Sequence, residues 1–94
     1  MASYRKITYY GGADMRLIKE EIRGWSVYQF LVDDKNMKYI KYITAIDGGG
    51  LWDFMFREDE TVEEIANVFP TDDRHLAMSI KSMFKDDENW VVAE

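Results

Sequence analysis

Residues 37–56 read MKYIKYITAI, then DGGG, then LWDFMF. Two segments of strand-forming residues flank an Asp-Gly-Gly-Gly run, and this arrangement constrains the fold most. In LWDFMF the side chains alternate, with Trp52, Phe54 and Phe56 on one side and Leu51, Asp53 and Met55 on the other. That period of two is a strand signature. The glycines between supply positive φ for a hairpin loop. They do not form a phosphate cradle. A Walker loop needs GxxxxGK[ST] opening into a helix, and a dinucleotide fingerprint needs GxGxxG at a strand-to-helix turn. Here there is no Lys, Ser or Thr after the glycines, and a strand follows.

The neighbouring segments extend the pattern. SYRKITYY (3–10) and SVYQFLV (26–32) are rich in β-branched and aromatic residues and read as strands. Tyr28, Phe30 and Val32 face one side of the second, and Val27 and Leu31 the other, which suits a central strand. ADMRLIKEEIR (13–23) places Met15, Ile18 and Ile22 at helical spacing, with charges between them. A helix is expected there, because a strand fits poorly with the consecutive Lys19, Glu20 and Glu21.

TVEEIANVF (61–69) has a capping box, Thr61 with Glu64 three residues on, and an apolar stripe of Val62, Ile65, Ala66 and Phe69. Pro70 stops it. Thr71-Asp72-Asp73 starts a second helix to about Lys85, with Leu76, Ala77, Ile80, Met83 and Phe84 as its buried stripe. WVVAE reads as a closing strand. The expected order is β-α-β-β-β-α-α-β, one α+β domain over residues 1–94, with an antiparallel sheet and helices on one face.

Helix, three strands and helix between Ala13 and Phe69 form an order that resembles the double-stranded-RNA-binding domain. The resemblance implies a basic second helix to meet phosphates. This chain instead has Glu58, Asp59, Glu60, Glu63 and Glu64 there, which repel phosphate. In the N-terminal half, Arg5, Lys6, Arg16, Lys19, Arg23, Lys35, Lys38 and Lys41 interleave with Tyr39 and Tyr42, the one place where bases could stack. Direct nucleic-acid binding is not expected.

Chemistry finds few footholds. With no cysteine in 94 residues, thiol catalysis, thiolate metal sites and disulfides are excluded, and an intracellular setting is favoured. His75 is the only histidine and has no visible nucleophile or HExxH spacing beside it. The EF-hand pattern is absent, since Lys38 stands where a ligand should follow Asp34 and Asn36. No catalytic residue, metal ligand or cofactor is expected, and the chain reads as a non-enzyme. MASYRKITYYGG has no apolar signal core and no segment approaches a membrane span, so a cytoplasmic protein with no membrane partner is expected.

Charge is the remaining signal. Residues 1–46 carry eight Lys/Arg and five Asp/Glu, whereas residues 47–94 carry four and thirteen. The halves are thus +3 and −9. Such a distribution serves solubility as a solvated face, or steers towards a basic partner. Three functions follow. The first is a non-catalytic protein-binding module occupying a basic surface on a larger protein. In its sharper form, Glu58, Asp59, Glu60, Glu63, Glu64, Asp72 and Asp73 imitate nucleic-acid phosphates. Phage anti-restriction and anti-CRISPR inhibitors use that strategy, an analogy of strategy and not of sequence. The second is a self-associating structural or assembly subunit, as in a virion, using a strand edge or an exposed aromatic such as Tyr39, Tyr42 or Trp52. The third is an enzyme or small-ligand binder, which would require a pocket around His75 or paired carboxylates.

Overall fold

The computed structural model describes residues 6–9, 13–46 and 50–92. Five strands run β1 (Lys6–Tyr9), β2 (Ala13–Arg23), β3 (Ser26–Asp33), β4 (Lys38–Ala45) and β5 (Leu51–Arg57). Two α-helices follow, α1 (Val62–Asn67) and α2 (Arg74–Lys85), then a 3-10 turn at Asp87–Asn89. The strands form one antiparallel sheet in chain order, β1-β2-β3-β4-β5. Helices cover one face, here the front. The α+β class with helices on one face is therefore as expected from the sequence.

Two elements differ from the sequence expectation. Residues 13–23 are a strand, not a helix. The register between β2 and β3 shifts between Leu17 and Lys19, leaving Ile18 as the extra residue of a bulge opposite Phe30. The bulge breaks the alternation, so Met15, Ile18 and Ile22 mimic helical spacing. Arg23 and Ser26 close a two-residue hairpin over Gly24-Trp25. Gly24 has φ +59, whereas Trp25 is not in the left-handed region. This is the pattern of a II′ turn, where glycine belongs first. The Lys19-Glu20-Glu21 run is accommodated strand-wise. Glu20 accepts from Gln29 Nε2 at 3.0 Å, and Lys19 Nζ reaches the Glu88 carbonyl at 3.4 Å. The helix–three strands–helix order shared with the double-stranded-RNA-binding domain therefore does not exist in this fold.

The second correction is the closing strand, which is not formed over residues 90–92; residues 93–94 lie outside the described residues. Trp90 serves as a plug instead. Its ring meets Phe30 edge-on at 5.2 Å and stacks on Phe84 at 5.9 Å, and its Nε1 donates to the Met83 carbonyl at 3.3 Å. The buried Asn89 Nδ2 donates to the same carbonyl at 3.1 Å. Two side-chain donors on one helix-end carbonyl fix the chain as it leaves α2.

The hairpin expected at the glycine run is present, with Ala45 paired to Leu51. Gly50 sits at φ +91, and residues 47–49 lie outside the described residues. The helical expectations hold closely. Thr61 and Glu64 form the reciprocal capping box, and Asp73 caps α2 by accepting from the Leu76 N–H at 2.9 Å.

The main core lies between the sheet front and the helices. Tyr28, Phe30, Ile40, Tyr42 and Phe56 meet Ile65, Ala66, Phe69, Ala77, Ile80, Met83 and Phe84. A smaller cluster of Met15, Leu17 and Leu31 lies on the back, flanked by Tyr39 and Met55. Both faces of β3 are thus apolar, as its sequence implied.

Candidate partner-binding surface

The residues expected to bind a partner lie on the connector from β5 through α1 to the start of α2. Residues 58–73 contain seven carboxylates and no Lys or Arg. Glu58, Asp59, Glu63, Glu64 and Asp72 are exposed, while Glu60 and Asp73 are half-buried. Two interactions hold the connector to α2. Lys81 Nζ donates to the main-chain carbonyls of Glu58, at 2.7 Å, and Glu60. Arg74 lies 3.8 Å from Glu63. One lysine under the connector satisfies turn carbonyls and lies beneath the densest negative charge.

The carboxylates divide by task. Glu60 Oε2 accepts from the Arg57 N–H at 2.6 Å, Glu64 Oε1 accepts from the Thr61 N–H at 3.0 Å, and Asp73 caps α2. These three hold the backbone. Accepting from the Thr61 N–H is the main cause that holds the Glu64 carboxyl below the ordinary glutamate range. Glu58 and Asp72 have exposed side chains and no structural role of this kind among the described residues. Asp59 pairs with Arg57 at 3.2 Å and Glu63 loosely with Arg74. Exposed pairs of this sort contribute only about 0–1 kcal/mol and dissociate readily when a partner offers a better cation. Asp72 is held at φ +50, a left-handed conformation that Asp tolerates better than most residues.

The stacking surface considered from the sequence does not assemble. Tyr39 and Tyr42 are three residues apart on β4 and emerge on opposite faces, Tyr42 in the main core and Tyr39 against the back cluster. Among the described residues the aromatics most exposed to solvent are Trp25, 91% exposed at the β2–β3 turn, and Trp52, 43% exposed on β5. Trp25 is not among the expected anchors, because the helical reading of 13–23 hides the two-residue turn that exposes it.

Hydroxyls gather at the front end of β3 and β4. Ser26 Oγ lies 3.1 Å from the Tyr42 hydroxyl and 2.9 Å from Thr44 Oγ1. Tyr28 stacks on Tyr42 with ring centroids 4.7 Å apart. Burial, reinforced by the neighbouring Tyr42, pushes the Tyr28 phenol up to about 12. A spectrophotometric titration should therefore show one tyrosine ionising near 12, well after the ordinary range around 10. The neutral phenol is favoured in the folded state. Its contribution to stability is whole below pH about 10 and is lost as pH rises through about 12. Ionisation of every tyrosine near 10 in folded protein would contradict this placement.

Beside these hydroxyls a cavity of about 190 Å³ is bounded by Tyr42, Thr44, Phe69, Pro70, Asp73 and Leu76. Others of about 230 Å³ and about 400 Å³ lie beside Ile18 and Trp90 and between Arg23 and Met83, respectively. His75 is exposed and lines none of these three. Among the described residues no three His, Asp or Glu side chains gather for a metal, and no helix is long and apolar enough to cross a membrane. Comparison with protein-family models, with curated proteins and with solved structures returns no match.

Proposed function

We propose that this chain is a non-catalytic protein-binding module that lays its acidic connector on a basic surface of a larger protein. The observation that carries the reading is the connector itself: seven carboxylates without an intervening cation, five of them exposed, tied to α2 by Lys81. Such a strip has the charge character of a nucleic-acid backbone. In the sharper form of the proposal, the partner handles DNA or RNA, and the module inhibits it by occupying its phosphate-binding surface. Phage anti-restriction and anti-CRISPR proteins exemplify that strategy, and a cytoplasmic setting suits it.

The test separates binding carboxylates from capping ones. Tagged protein captures partners from its host's lysate, and the partner identified by mass spectrometry is purified. Reversing Glu58, Asp59, Glu63 and Asp72 to lysine leaves Glu60, Glu64 and Asp73 to hold the backbone. The expected result is an association rate lower by about 10- to 1,000-fold, the range of electrostatic steering, and a wild-type rate that falls steeply with salt. An unchanged rate and affinity in the folded quadruple variant would sink the proposal.

A further inference from the structure

β5 is an outer strand of the sheet. The Glu58 N–H donates to the Lys38 carbonyl at 3.2 Å, which marks 38 and 58 as a hydrogen-bonded pair. Alternation then makes 40/56, 42/54 and 44/52 the hydrogen-bonded pairs of β4 and β5. The N–H and C=O groups of Leu51, Asp53, Met55 and Arg57 therefore point away from the sheet. Arg57 is already closed, its N–H donating to Glu60 Oε2 and its carbonyl accepting from the Glu60 N–H. At Asp53 and Met55 the outward groups have no partner among the described residues. Beside them Leu51 is 77% exposed, and Trp52 continues an aromatic ladder, 6.4 Å from Phe54, itself 6.3 Å from Phe56.

We propose that two copies of this chain pair through β5, antiparallel about a two-fold axis at Phe54, to make a continuous ten-stranded sheet. A second copy fits this edge because its open groups are self-complementary in register. In a symmetric pair, outward groups must meet outward groups, so the axis falls on a residue. An axis at Asp53 sets two carboxylates directly opposite, a destabilising like-charge pair. An axis at Met55 requires the main-chain groups of Arg57, which Glu60 occupies. An axis at Trp52 sets Met55 opposite position 49, outside β5, and leaves its groups open. An axis at Phe54 pairs the open groups of both Asp53 and Met55. Asp53 of each copy meets Met55 of the other in four main-chain hydrogen bonds. The Phe54 side chains face each other in the closer, non-hydrogen-bonded spacing, and Trp52 lies opposite Phe56. Each Asp53 then lies diagonal to Arg57 and Asp53 of the second copy, and its charge is offset by Lys41 at 3.2 Å. This interface is separate from the acidic connector and stands whether or not the connector binds a partner.

Sedimentation of the wild-type chain up to about 100 μM should show a monomer–dimer equilibrium, the range expected of a small interface. Asp53→Pro removes an outward N–H and leaves the β4–β5 ladder intact, so it should raise the dimer dissociation constant at least about tenfold. If circular dichroism shows that this variant is unfolded, Trp52→Glu, which keeps every main-chain group, takes its place with the same expectation. The natural chain has no cysteine, so single cysteines report register cleanly. Phe54→Cys should cross-link between copies faster than Asp53→Cys or Met55→Cys. A wild-type chain that stays monomeric over this range, or cross-linking led by position 53 or 55, overturns the proposal.

Discussion

Phe30→Ala is expected to lower unfolding free energy by about 3–5 kcal/mol, the range for removing a fully buried phenylalanine. Phe30 is 0% exposed at the middle of β3, the central strand, with Ile40 beside it and Trp90 edge-on above. Truncation leaves a void bounded by the sheet, α2 and the C-terminal plug at once, so collapse of one wall does not fill it. Small domains have about 5–15 kcal/mol in total, so the variant should lie near its folding threshold. Urea denaturation followed by circular dichroism measures the loss. Trp25→Ala, at a 91% exposed turn position, is the control and should change stability by less than about 0.5 kcal/mol. A Phe30→Ala loss as small as the control's would mean that the β3–Trp90 contact is not where the core closes.

Asp33→Ala should follow, at about 2–4 kcal/mol, since hydrogen bonds to a charged group contribute about 1.5–3 kcal/mol each. Asp33 is buried at the end of β3, and its Oδ1 accepts from the N–H groups of Lys35 and Met37 at 2.9 and 2.8 Å. Those bonds set the turn into β4, where Asn36 takes φ +64. Alanine orphans both donors. The substitution Asp33→Asn keeps an acceptor and should recover more than half of the loss. A second readout is independent of unfolding. Burial, then the Asp33 charge, raises the Tyr39 phenol, so either substitution should move that phenol back down. Equal losses for alanine and asparagine would show that charge, not acceptor geometry, holds the turn.

Much of this architecture is legible in the sequence where one local rule governs one element. The alternation of LWDFMF, the two-sided apolar pattern of β3 and the Thr61–Glu64 box each name their structure directly. Residues 13–23 mislead because a bulge is a tertiary choice. Ile18 and Lys19 share Phe30 as a neighbour, which sequence period alone does not encode. The C-terminal segment departs for a different reason. Val91 and Val92 favour a strand locally, but the docking of Trp90 and Asn89 on the Met83 carbonyl commits the chain elsewhere. At the candidate surface the cluster of acids is plain, and so is Glu64 as a cap. The hold of Glu60 on Arg57 depends on a turn that only the fold supplies.

The strict chain order of the sheet has a kinetic consequence. Every strand pairs with the one just before it in sequence, so each hairpin can close without waiting for distant residues, a topology associated with fast folding. Its cover arrives last. During synthesis β1 to β5 leave the ribosome before α1 and α2, so Phe30, Ile40, Tyr42 and Phe56 wait on a bare surface. Nascent chains in which residue 57 has emerged while residue 74 is still inside the ribosome should therefore be the forms that chaperones bind most strongly and that associate with one another.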